Sequence, residues 1–256
     1  MNSSAKAPPQ PSFLNRRPPV DVARDILTDR YPNALLAFVA GSFNRGEATM
    51  FSDIDLVVIF QKLDYAWRES FVFQEWPVEV FAHDPETLRY FFHDDARTGV
   101  PMLSAMVLEG PVVPVGHPME DEFKAMAAQA LSDKAPQWDA ETLSRKRCAI
   151  SDLIDDLRDP RNAIEAAAII GRLHEQLGDF YFRSLGVWSA SGKHITRRLE
   201  KIDTVLSTRW EEAFLDAWSG QRSKLIHLTE EILRPQGRLL FDGYRLEAPP
   251  HWRICV

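Results

Sequence analysis

The chain has 256 residues, 45% of them hydrophobic, and a formal net charge of −7. That is enough apolar material for one large or two modest domains, and it excludes a collagen, a disulfide scaffold and a globally disordered chain. The acidic balance offers no pull on a nucleic-acid backbone, so a long DNA or RNA partner is not expected.

The first 19 residues hold Pro8, Pro9, Pro11, Pro18 and Pro19. Proline lacks the amide donor and blocks helix, so this stretch reads as a disordered leader, polar and proline-rich and without the apolar segment of a secretion signal. Val22, Ile26 and Leu27 then predict a helix over 20–30, ended by Tyr31-Pro32-Asn33. A buried strand over 35–40 stops at Gly41, and a loop over 41–51 leads to a second β-branched run over 54–60. Two short strands are expected between 71 and 81, around Gln74-Glu75-Trp76-Pro77. Helices over 85–97 and 102–108 and a strand over 112–115 complete a small mixed α/β domain at 20–118.

Beyond 118 the strand patterns vanish. Helical spacing runs through 120–131, 141–157, 162–185, 193–206, 210–218 and 222–233. In the third of these, Ile164, Ala168, Leu173, Leu177, Phe180 and Tyr181 form the expected core stripe. The fold class is therefore α+β, with a small mixed-sheet domain followed by an α-helical bundle over 119–256. Cys148 and Cys255 are the only cysteines, too few and too far apart for a zinc site, which suits a reducing compartment. No apolar run approaches bilayer length, so a cytoplasmic location without membrane contact is expected.

Chemistry concentrates between Phe38 and Val58. A buried strand ends at Gly41-Ser42, a small pair that lets backbone amides and a hydroxyl approach a phosphate closely. Asp53 and Asp55 stand two apart at the start of the next strand, where alternation points both to one face and Ile54, Leu56 and Val58 to the other. Two adjacent carboxylates repel unless a cation lies between them. Hard oxygen ligands on one face suit Mg²⁺ that also binds substrate phosphates. Glu79, flanked by Val78 and Val80, is a lone acid in an apolar strand and the natural third ligand.

Gly41-Ser42, ten intervening residues and then Asp53-Ile54-Asp55-Leu56, with a third acid on a later strand, resembles the signature of the DNA polymerase β-like nucleotidyltransferase superfamily. Gly-Ser-Phe-Asn-Arg-Gly followed by Ser-Asp-Ile-Asp-Leu-Val-Val is similar to its bacterial small-molecule branch, the aminoglycoside and lincosamide nucleotidyltransferases. The resemblance covers residues 35–81.

It implies two Mg²⁺ ions held by Asp53, Asp55 and Glu79, a nucleoside triphosphate cradled by Gly41 and Ser42 with ATP as the expected co-substrate, and a small hydroxylated acceptor, an antibiotic among them. The nucleotide and the acceptor are expected in a cleft between the two domains. Arg45 in the loop and Lys193, in a Gly-Lys pair at a helix start, are the cations placed to meet phosphates; a solvated loop charge and a capping-region lysine are the plainer readings of the same residues. Asp94, Asp95, Glu109, Glu165 and Glu175 are candidate general bases, with Glu109 preferred because Glu109-Gly110 closes a helix beside a catalytic-domain strand. Arg222 and His227 match the Arg-x4-His spacing of HEPN-type ribonuclease domains; in so arginine-rich a helix, chance explains them. Two other functions compete: adenylylation of a protein by an antitoxin-type enzyme, which the size of the helical half argues against, and a non-catalytic nucleotide sensor, which three intact acids argue against.

Overall fold

Proline at the first turn, with Val22, Ala23 and Ile26 at helical spacing, starts and buries α1 (Pro19–Arg30). The computed structural model describes residues 16–132 and 134–253, so most of the proposed leader lies outside the described residues. The chain divides into two compact units, Met1–Asp133 and Lys134–Val256.

In the first unit, β1 (Ala34–Ala40), β2 (Ile54–Phe60), β3 (Trp67–Phe73), β4 (Trp76–His83) and β5 (Val112–Val113) form one mixed sheet in the order β3-β4-β2-β1-β5. β2 and β4 are parallel, and every other neighbouring pair is antiparallel. Strand alternation gives the sheet two apolar faces. Ala37, Val39, Ile54, Leu56, Val58, Val78 and Val80 pack against α1. Phe38, Val57, Ile59 and Phe81 pack against α2 (Pro85–Thr98), α3 (Leu103–Glu109) and α4 (Glu120–Ser132).

The division after α4, rather than at 118, has a plain cause. Phe123 and Ala127 of α4 are fully buried in the sheet's second face, and the Phe123 ring meets Phe38 edge-on at 6.4 Å. α4 is thus part of the core of the first unit. β5 is also shorter than the expected 112–115 run, because Pro114 cannot donate to the ladder.

The β3–β4 hairpin determines where Glu79 falls. Phe73 pairs with Trp76 across a two-residue turn in which Gln74 and Glu75 have φ of 46° and 68°. Such tight turns require positive φ at both central residues, normally supplied by Asn and Gly. Gln74 is held there by its side chain, which accepts from Arg17 Nη1 at 2.8 Å and donates to Asp25 at 2.9 Å. The hairpin also reaches further back than expected, since β3 begins at Trp67 and not near 71.

The second unit is helical: α5 (Ala140–Arg158), α6 (Ala163–Ser184), α7 (His194–Ile202), α8 (Thr204–Trp218) and α9 (Ser223–Leu233). Leu173, Leu177 and Phe180 are buried as expected, but Ile164 and Ala168 are exposed, Ile164 at 80%. Counting back from Leu173 at helical spacing gives Ile170 and Ala166, and these are the buried positions. The expected helix over 193–206 breaks at Asp203, whose carboxylate accepts from the Leu206 amide at 2.9 Å and so starts α8. Among the described residues no helix is long and apolar enough to cross a membrane.

Glu75 is exposed and stays in a left-handed conformation only because the register demands it. That conformation costs a side-chain-bearing residue roughly 1–2 kcal/mol, partly offset by the entropy glycine brings to the unfolded chain. Glu75→Gly is therefore expected to stabilise the protein by about 0.5–1 kcal/mol in urea unfolding; an unchanged or lower midpoint would show that the turn carries no such strain.

Candidate functional site

Three strand segments meet at one end of the sheet. Asp55, the second residue of β2, stands opposite Ala40 at the end of β1 and opposite Glu79 in the middle of β4. Residues in register on parallel strands point to the same side, so Asp55 and Glu79 share a face. It is the face that α2, α3 and α4 cover further along, where Val57, Ile59 and Phe81 are buried. At the cluster itself that apolar cover has run out, and Asp53, Asp55 and Glu79 are half-buried.

One carboxylate oxygen from each of the three acids lies within 4.8 Å of the others. At that separation two ionised carboxylates repel by about 3 kcal/mol at an effective dielectric near 20, less where water screens them. Three such groups on one face form a set of hard anionic donors that can hold a divalent cation. The structure thus brings together the acids that the alternation of β2 and the apolar frame of β4 single out.

Gly41 and Ser42 are joined to this cluster by backbone and side chain. Gly41 has φ of 129°, and a Cβ there would lie 3.2 Å from the Asp53 carbonyl oxygen and 3.1 Å from the Phe43 ring. Only glycine combines that conformation with that approach. The chain then turns through a short 3-10 segment, Ser42–Arg45, closed by Gly46 in the left-handed region. Asn44 Nδ2 donates to the Val39 carbonyl at 2.7 Å and anchors the turn to β1.

The two ends of the spacer are pinned by Ser52. Its hydroxyl lies 2.8 Å from the Ser42 hydroxyl and accepts from the Thr49 amide at 2.8 Å. Its signal in the sequence is a small hydroxyl directly before Asp53, ten residues after Ser42. Sequence reasoning passed over Arg68. On β3 it stands opposite Phe81, while Ser70 stands opposite Glu79. Arg68 Nη2 donates to Glu79 Oε2 at 2.6 Å. Counting back from the Gln74-Glu75 turn would have placed it there.

The other candidates lie on other elements. Arg45 donates to Glu47 Oε2 at 3.1 Å, a local loop pair. Lys193 belongs to the second unit, at the cap position before α7, where Glu175 accepts from the Gly192 amide at 2.8 Å. Asp94 pairs with Arg97. Asp95 accepts from both the amide and the hydroxyl of Ser104, tying α2 to α3. Glu165 accepts from the Arg161 amide at the start of α6.

Glu109 is exposed at the end of α3, and the next residue, Gly110, has no room for a Cβ because the Met106 carbonyl would be 2.6 Å away and the Val39 carbonyl 3.0 Å. That close packing brings the end of α3 to the same end of β1 as the cluster. Arg222 caps α9 and His227 lies five residues on, about 140° around the helix, so the two do not share a face.

Away from the cluster, at the far end of β4, burial lowers the His83 imidazole to about 4 despite the opposing pull of Asp84. His83 is therefore uncharged at neutral pH.

A comparison with curated proteins finds no match. Among solved structures, a nucleotidyltransferase-like protein from Exiguobacterium sibiricum 255-15 aligns over 85% of this chain and 75% of its own, with 11% identity and a TM-score of 0.42. Residues 20–96 match the family model described as a nucleotidyltransferase domain, a stretch that runs from α1 into α2 and contains Gly41, Ser42, Ser52, Asp53, Asp55, Arg68 and Glu79.

Proposed function

We propose that this chain is a metal-dependent nucleotidyltransferase that moves a nucleoside monophosphate, AMP from ATP in the first instance, onto a hydroxyl of a small molecule. The observation that carries the reading is the approach of Asp53, Asp55 and Glu79 to within 4.8 Å of one another beside the Gly41-Ser42 turn. The match of residues 20–96 to a nucleotidyltransferase domain supports it.

In this reading the acceptor hydroxyl attacks the α-phosphorus, the bond from that phosphorus to the bridging oxygen breaks, and pyrophosphate leaves. Divalent cations, when bound, neutralise phosphate charge and make the acceptor hydroxyl more acidic. The chain's own residues do the positioning. Asp55 presents its carboxylate from β2, Asp53 from the residue just before that strand, and Glu79 presents a third from β4. In this reading the Ser42–Arg45 turn offers backbone N–H groups to the phosphates. Ser52 keeps that turn against Asp53. Glu109, exposed at the end of α3, is the residue this reading assigns to receive the acceptor's proton. The acceptor class to try first is a polyhydroxylated antibiotic of the aminoglycoside or lincosamide type, by resemblance of the Gly41–Val58 stretch to that branch alone.

Calorimetry with the four ribonucleoside triphosphates, with and without Mg²⁺, tests the reading. Binding is expected only with Mg²⁺, and Asp53→Ala/Asp55→Ala is expected to weaken it by about 100-fold, the loss of several kcal/mol of charge stabilisation. Equal Mg²⁺-dependent binding by wild type and double variant would sink it.

Ser52→Ala removes the link between the turn and the strand while leaving every carboxylate in place. It is expected to raise the Kd for Mg²⁺–triphosphate about five- to tenfold, the worth of one or two hydrogen bonds, with little change in the thermal midpoint. An unchanged Kd would show that the turn holds its position without Ser52.

A further inference from the structure

We propose that Arg68 is the built-in counter-ion of the carboxylate cluster, a positioning residue that occupies Glu79 in the cation-free protein and so keeps the affinity for free divalent cation low until the triphosphate arrives. The proposal rests on the nucleotidyltransferase reading above. Arg68 is held by two contacts at once: the 2.6 Å bond to Glu79 and a stack on Phe81, whose ring centre lies 5.1 Å from the guanidinium carbon. A planar guanidinium suits both, and a lysine would keep the charge without the stack.

Folding does not account for the pair. Arg68 is 58% exposed in its side chain and Glu79 30%, and ion pairs so open to water contribute little to stability. Electrostatics gives it a use. The three carboxylates carry three negative charges when ionised, and Arg68 cancels one of them. A cation arriving at the cluster meets both a weaker field and a ligand already engaged by a guanidinium. The triphosphate changes that balance, because its own negative charge satisfies Arg68 and leaves Glu79 to the metal. Cation and nucleotide then bind together, and the cluster does not fill with metal in between.

Mn²⁺ serves as the probe, titrated without nucleotide and followed by electron paramagnetic resonance, with urea unfolding to confirm that each variant is folded. Arg68→Gln is expected to bind Mn²⁺ about fivefold more tightly than wild type, the size of one screened charge interaction, while Arg68→Lys stays near the wild-type value. If Arg68 acts through Glu79, the gain shrinks below about twofold in the Glu79→Gln background. ATP is expected to tighten Mn²⁺ binding more in wild type than in Arg68→Gln. Equal or weaker Mn²⁺ binding by folded Arg68→Gln, with Asp53 and Asp55 still required, overturns the role of Arg68 and leaves the site standing. Wild-type affinity in Asp53→Ala/Asp55→Ala removes the metal site itself, and both proposals fall.

Discussion

The parallel pairing of β2 with β4 is the constraint on which the site depends. It sets Asp55 opposite Glu79 and points both to one side of the sheet. Parallel neighbours cannot be joined by a tight turn. Here the chain leaves β2, forms β3 at the outer edge, and comes back as β4 between the two. The β3–β4 hairpin therefore sets the register of the pair that carries the acids. A slip of one residue would turn Glu79 to the α1 face and Val78 or Val80 toward the carboxylates. The apolar residues between the acids resist such a slip. Val78, Val80 and Ala82 are buried on one face and Phe81 on the other, so moving Glu79 would send four side chains to the wrong face at once.

The same alternation made much of the site readable in advance. Asp53 and Asp55 follow from period two in a β-branched run, and Glu79 from being the single acid among buried neighbours. Gly41 follows from the end of a strand, although the reason only glycine fits, the approach of the Asp53 carbonyl, is a three-dimensional fact. Arg68 escaped notice because its strand is half exposed. Trp67-Arg-Glu-Ser-Phe alternates weakly, and an arginine on an exposed face resembles any solvated charge. Its meaning comes from the residue across the hairpin. Ser52 was hidden for a similar reason, since its partner is Ser42, at the other end of the spacer.

The fold was legible to the degree that each element announces itself locally. Helix α4 is amphipathic wherever it packs, and nothing in its own residues says that Phe123 will lie against Phe38 rather than in the helical unit. The break between α7 and α8 depends on one carboxylate, Asp203, capping instead of continuing. In α6 the stripe was placed one register off at its start, where Ile164 follows the Asn162 cap and faces outward. Ends of helices obey capping before they obey amphipathic period.

β3 closes the sheet on one side, and its outward positions Arg68, Ser70 and Val72 are exposed on the carboxylate face. None of them belongs to either apolar cluster of the first unit. As far as folding is concerned, these positions tolerate change while the acids and the core stay fixed. In directed evolution this makes positions 68, 70 and 72 a compact combinatorial library: substitutions there vary charge and shape beside the acids at small cost in foldedness, where randomising β2 or β4 would discard most variants as unfolded chains.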